Sequence, residues 1–503
     1  MKPLSGLVLG LVLWAQRVAL PSHINTRMHE SAPVLSADGK QLFFWRLDDP
    51  LGYGAQDIFY ATWSDSLSNF GPPQHLGSGV NDERGNIPFG IAPDGQLLLV
   101  YKEFRNPKNA CELGMARRLT GDLWSAPGQL RIQNFHSESG SSLTAALGWD
   151  GRTLLLSMKS KGTLGGEDLY VSFFNPEQRI WSEPLHLGPT INTVGDEITP
   201  FLASDGITLY FSSNKRNDSK GFDIYMTRRL DDSWQRWSPP QRLPEPINSE
   251  ADDYYFKFAA LKPEIAYFVS TDSAATKGKE IYRAPLPTAF QPRPVSLIRG
   301  RVIERTQRRP VPNAELRYYN LTTRELEGAA TSAESTGEYR ILLPTGSLYG
   351  LVVLNPGYFS ISEQIDLRQT NNKAPSEIEK DIIVVPLILD EVFRLNGLYF
   401  ASGDSALAPE SFMELERLAW LLSDKPTMRI EIVGHTDSTG SLEKNMELSR
   451  RRASAVANYL ISRGIAADRL QVVGKGPTQP IADNRTPEGR ALNRRVEFRI
   501  LSP

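Results

Sequence analysis

Near the end of the 503-residue chain an acid and a base stand fifteen positions apart: Asp437, just past a predicted strand, and Arg452, on the helix predicted to follow. These types bind charged groups: a carboxylate accepts N–H bonds from a cation, and a guanidinium offers paired N–H donors. Read singly, Asp437 is equally a helix N-cap or turn residue. Arg452 closes a run of three arginines, and such a run is usually a solvated face. Other chemistry is harder to assemble. The six histidines, at positions 23, 29, 75, 136, 186 and 435, include no pair with zinc-helix spacing. Cys111 is the only cysteine, so it has no partner for a disulfide or a cysteine cluster. No G-x-S-x-G nucleophile elbow occurs. The sequence therefore predicts no catalytic residue, no metal ligand set and no cofactor.

Four Asp-Gly pairs recur at 38–39, 94–95, 150–151 and 205–206. Each sits between two apolar stretches, the pattern of a hairpin with a tight corner. Their aspartates read as turn residues rather than catalysts. A third strand follows in each unit (DIFYATW, ELGMARR, DLYVSFF, DIYMTRR), then a short fourth. A fifth unit is degenerate, with Lys262-Pro263 where Asp-Gly would sit, and it stops after three strands. The segment LPSHINTRMHESAP (20–33) matches LGPTINTVGDEITP (187–200), so the N-terminal segment is expected to supply the missing outer strand. Four strands per unit of about 55 residues describe a β-propeller, here of five blades over residues 18–290. The repeats resemble the TolB-like repeats of bacterial envelope proteins, which implies a binding platform for envelope or outer-membrane protein partners.

Proline-rich FQPRPVS (290–296) reads as a linker. Short strands punctuated by Pro-Asn, Thr-Gly and Pro-Gly follow over 297–386. The pattern G-R-V, P-V-P-N-A, T-G-E-Y, L-P-T-G and N-P-G-Y resembles the carboxypeptidase regulatory-like domain, which implies an all-β, transthyretin-like sandwich. Polar residues 368–380 are expected to loop out, and Asp381–Ile388 to return as a strand.

Over 390–503 strands and helices alternate, predicting an α+β two-layer domain. Leu415, Leu418 and Leu422 recur with Phe412 at helical spacing, and Pro409 fits that helix's first turn. A second helix is expected over about 442–463, with Leu448, Val456, Tyr459 and Leu460 inward and Gly464 at its C-terminal cap. Gly434-His435-Thr436-Asp437, the N-x-x-L-S-x-x-R-A run from Asn445 to Ala453, and Asn493-Arg494-Arg495 resemble the OmpA-like peptidoglycan-binding domain. That resemblance implies a ligand, the meso-diaminopimelate of the peptidoglycan stem peptide. Its free end pairs an ammonium with a carboxylate. Asp437 would take the first and Arg452 the second, with Arg494, Asn445, Ser449 and Thr436 in the same site. Arg450 and Arg451 read as solvated, and His435 as a loop support. Many members carry Asp directly after the first strand's Phe; here the run is Phe400-Ala401-Ser402-Gly403-Asp404.

The N-terminus has the form of a secretory signal over 1–16, with Lys2, an apolar run from Leu4 to Trp14, and Ala15. A buried N-terminal strand is the other reading of that run. No cysteine follows it, so no lipid anchor is expected there, and no later stretch suits a membrane helix. A net charge of −2 gives no general attraction to nucleic acid. Together these features predict a non-enzymatic periplasmic protein associated with the cell wall and outer membrane. The domain order resembles that of Bacteroidetes envelope proteins, some of which belong to type IX secretion. The alternative is a cell-wall-targeted hydrolase, with two carboxylates on facing blades as its catalytic pair.

Overall fold

The computed structural model describes residues 16–502 apart from 105–110, 120–121, 139–141, 177, 272–277, 324, 361–362, 371–375, 402 and 409–410. The expected signal segment therefore lies outside the described residues but for Gln16, and so does Pro409. The chain is mostly β, with few helices.

Residues 18–285 form five small antiparallel sheets. Their innermost strands are Glu30–Leu35, Asn86–Ile91, Thr144–Leu147, Glu197–Leu202 and Asp253–Ala259. Each packs against the innermost strand of the next sheet, and the fifth packs back onto the first. The Asp-Gly pairs turn each sheet's first corner. Gly39, Gly95, Gly151 and Gly206 all take φ near +70°, which a side chain would strain. Each aspartate accepts the N–H two residues on, as Asp38 does from Lys40 at 3.0 Å. In the fifth sheet the corner falls at Ala260–Leu261, with Ala259 opposite Lys262. Lys262-Pro263 thus begins the next strand rather than making the turn.

Val18–Ala19 pairs antiparallel with Glu280–Pro285 and takes the outer place in the fifth sheet. A side-chain clamp accompanies this pairing. Asn25 donates to Ile281 O (2.9 Å) and accepts from Ile281 N (3.0 Å). Asn81 treats Ile58 the same way, Asn192 treats Leu169, and Asn248 treats Ile224. One side chain thus bonds both backbone groups of a buried third-strand residue, whose carbonyl also accepts a backbone N–H, as Ile281 O does from Leu20. Asn25→Ala should cost ~1–3 kcal/mol for the buried Ile281 N–H left unpaired, since Ile281 O keeps Leu20 N–H at 3.0 Å. Chemical denaturation of the full chain would read this as a lower midpoint; an unchanged midpoint would show that the N-terminal segment closes nothing.

Residues 295–386 form one nine-stranded β-unit around Ile298, Leu316, Tyr339, Leu351 and Val384. Its first strand, Val295–Glu304, starts inside the expected linker. Ser376–Glu379, expected within a loop, is instead a strand parallel to that first strand, with Ser296 opposite Ser376. Polarity decides which side chains meet water, but it does not stop a backbone from pairing. The Asp-Gly corners face this unit. Ala329 N–H donates to Asp150 O (3.2 Å), Arg340 lies 3.8 Å from Asp38, and Arg293, just before the unit, donates its N–H to Asp205 (2.9 Å).

The C-terminal domain runs β1 (Val392–Arg394), α1 (Phe412–Asp424), β2 (Arg429–His435), α2 (Leu442–Ser462), β3 (Leu470–Gly476), α3 (Pro487–Asn493) and β4 (Val496–Ser502). Sheet order is β1-β4-β2-β3, with β2 and β3 parallel across α2. Leu415, Leu418 and Leu422 of α1 and Ala453, Val456 and Leu460 of α2 pack on Ile430, Ile432 and Phe498. Ser441 caps α2, accepting from Lys444 N–H, and Gly464 ends it at φ +88°. Among the described residues no helix is long and apolar enough to cross a membrane.

Candidate functional site

Asp437 lies two residues past the end of β2, where the Thr436 N–H bond to Gly476 O holds the chain leaving the strand. Its Oδ1 accepts Thr439 N–H at 2.9 Å, and its Oδ2 accepts from Arg494 Nη1 at 2.8 Å. Partial burial pushes this carboxyl up, but the Arg494 and Thr439 bonds outweigh it and hold it below the usual carboxylate range. Asp437 is therefore an anion at any pH near neutrality.

Arg452 sits on the inner face of α2 and is only 6% exposed. Its Nε donates to Asp404 O at 2.9 Å, its Nη2 reaches Ala401 O at 3.4 Å, and the guanidinium lies 4.9 Å from the Phe400 ring centre. Burial lowers its proton affinity and the Arg494 charge adds to this, while Asp437 and Asp404 act the other way. Among the described residues no hydrogen bond engages Nη1. The run Phe400–Asp404 thus departs from the Phe-Asp pattern yet contributes directly. Two of its carbonyls and its ring fix the cation in place. Arg450 and Arg451 are exposed, as their run implied.

The remaining expected residues divide between site and frame. Arg494 is in the site, with its side chain 46% exposed over Asp437. Asn445 donates to Thr439 O at 2.9 Å and braces the loop that carries Asp437. Ser449 donates to Met446 O (2.8 Å) and accepts from Gly476 N–H (2.9 Å), joining α2 to the end of β3. Thr436 donates its backbone N–H to Gly476 O, while its buried hydroxyl makes no hydrogen bond. His435 is buried with Nε2 3.3 Å from Glu497, a structural position. Gly434 permits the close packing of helix on strand: a Cβ there would meet Ser449 O at 2.0 Å.

Two asparagines that carry no individual signal in the sequence hold the site's frame. Asn493 is fully buried, accepts from Ile481 and Ala482 N–H, and donates to Ala482 O and Asn484. Asn484 in turn accepts Ser438 N–H at 3.2 Å. This chain fastens the 481–484 loop to the residue after Asp437. Its only signal in the sequence was the place of Asn493 beside the two arginines.

Residues 399–494 match the model of the OmpA family. The C-terminal domain is thus an OmpA-like α+β domain. Its relatives include the probable lipoprotein YiaD of Escherichia coli K12, 44% identical over 108 residues, which are 22% of this chain and 49% of YiaD. The peptidoglycan-binding protein ArfA of Mycobacterium tuberculosis H37Rv is 48% identical over 99 residues, 20% of this chain and 30% of ArfA. The chain therefore spans half or less of these relatives' length. Among solved structures, the peptidoglycan-associated lipoprotein of Burkholderia pseudomallei is 28% identical over 20% of this chain and 87% of that one, with a TM-score of 0.20. The OmpA-like domain thus has relatives named as a peptidoglycan-binding protein and as a probable lipoprotein.

Proposed function

We propose that this chain is a non-enzymatic envelope protein whose OmpA-like domain holds peptidoglycan by the diaminopimelate of the stem peptide. The observation that carries this reading is the buried Arg452, held by two carbonyls with Nη1 unspent among the described residues, in a site whose anion is Asp437. An amino-acid zwitterion needs one fixed anion and one fixed cation. Here both are set before binding, so little ordering is required. The name of ArfA supports the same ligand class.

We read the five sheets as the blades of a TolB-like propeller and residues 297–386 as a regulatory-like sandwich. The packing of each innermost strand on the next, with the fifth on the first, supports the propeller. In this reading the propeller presents a surface to envelope proteins, and the wall-binding domain determines where that surface is held, in the periplasm beside the outer membrane.

The test is co-sedimentation with purified sacculi that contain diaminopimelate. The chain should pellet with them, and free meso-diaminopimelate should release it. Pelleting that the free amino acid cannot reverse would overturn the assignment. The electrostatics add a pH profile. A protonated Asp437 no longer carries the charge that attracts an ammonium, so retention should be lost as pH falls through its carboxyl value. That value lies below the usual one of about 3.9. Retention should therefore be flat from neutrality to about pH 5; a decline centred near pH 6 would point to a different group.

A further inference from the structure

Asp437 already holds a cation of this chain's own. Arg494 Nη1 donates to it at 2.8 Å, while the Asp437 side chain is only 12% exposed. The two ends of this pair are anchored differently. Asp437 is tied to Thr439 N–H and its loop is braced by Asn445 and Asn484. Arg494 has a rigid backbone, since its N–H bonds Arg490 O and its neighbours Asn493 and Arg495 are both buried. Its side chain, however, is half exposed and, among the described residues, makes this one hydrogen bond. The guanidinium is thus a tethered cation on a firm base. A second positive charge, Arg452, is close enough for the two arginines to oppose each other.

We propose that Arg494 is a resident counter-ion that competes with the ligand's ammonium for Asp437 and so makes the site selective for zwitterions over simple amines. This rests on the reading of Asp437 and Arg452 as the ligand pair. The tether keeps the guanidinium at high effective concentration beside the carboxylate. An amine alone gains only Asp437 and must displace that cation to do so. An ammonium with an adjacent carboxylate also gains the unspent donor of Arg452.

Two probes test this by titration calorimetry on the full chain: meso-diaminopimelate, and 1,5-diaminopentane, which is the same molecule without its carboxylates. Wild type should bind the first and show no measurable binding of the second. Arg494→Gln keeps a hydrogen-bonding side chain but no charge. It should bind diaminopimelate roughly two- to tenfold more tightly and bind diaminopentane measurably. Equal or weaker binding of diaminopimelate by Arg494→Gln would overturn the proposal, even if wild type binds sacculi normally. Failure of both proteins to bind diaminopimelate would remove the ligand reading itself and this inference with it. An NMR titration gives a ligand-free check: the Asp437 carboxyl should rise toward its usual value in Arg494→Gln, and no movement would show that the pair does not form in solution.

Discussion

Arg452→Ala should leave the chain in the supernatant when sacculi are pelleted, with retention at least tenfold below wild type. A charge-assisted hydrogen bond contributes roughly 1.5–3 kcal/mol, and every 1.4 kcal/mol is tenfold in affinity. The ligand carboxylate would lose its cation outright, because neighbouring Arg450 and Arg451 are exposed to solvent. Asp437→Ala should weaken retention comparably by removing the acceptor for the ammonium. Both changes also disturb local structure. Arg452 holds the carbonyls of Ala401 and Asp404, and Asp437 accepts Thr439 N–H. Asp437→Asn keeps that turn bond and loses the charge, so it separates binding from folding. Arg452→Lys keeps a charge but not the planar fork, and should fall between wild type and alanine. Arg451→Ala should pellet like wild type. Equal pelleting of all these variants would sink the pocket assignment. Dense display on the sacculus raises apparent retention, so titration with soluble stem peptide is the sharper measure of the same loss.

The sequence made some of this legible and hid the rest for physical reasons. Turn chemistry was readable because it is local: Asp-Gly at a corner needs only four residues, and all four corners form with glycine at positive φ. The match of 20–33 with 187–200 pointed to the placement of Asn25, since Asn25 and Asn192 make the same clamp. The clamp itself has no periodicity, and only the structure shows that a side chain occupies a backbone's two bonds. Apolar spacing suggested Leu448 and Tyr459 for the inner face of α2; Tyr459 packs half-buried against the core, while Leu448 is half-buried outside it. Asn445, Ser449 and Arg452 are buried there instead. Each is acceptable inside because it bonds a loop or strand end, which a count of apolar residues cannot register. The carbonyls that fix Arg452 were illegible for the same reason, since a backbone donor or acceptor carries no side-chain signature.

The least legible feature predicts the largest loss of stability. Arg417 and Glu414 on α1 form an ion pair with both side chains almost fully buried, and burial pushes the arginine below its usual range. The Arg417 guanidinium lies 4.0 Å from the ring centre of Phe359, which belongs to the preceding β-unit. That ring also meets Phe393 and Phe498, so a residue from outside the OmpA-like domain completes its core. Arg417→Ala would remove the cation from beside a buried carboxylate and open a space beneath Phe359. Breaking a buried pair from one side costs about 3–5 kcal/mol. For a domain of this size that lowers Tm by on the order of 10 °C or more. Hydrogen exchange of the α1 amides in the full chain should report the loss locally. Arg417 Nε and Nη1 are buried without hydrogen bonds, so the pair is imperfectly satisfied even in wild type. Replacing both partners, as Glu414→Leu with Arg417→Met, should therefore cost less than Arg417→Ala alone. A double variant as unstable as the single one would mean that the pair's worth lies in shape and in the Phe359 contact rather than in its charges. Arg417→Met alone would then be the milder change, because it keeps a long side chain against that ring.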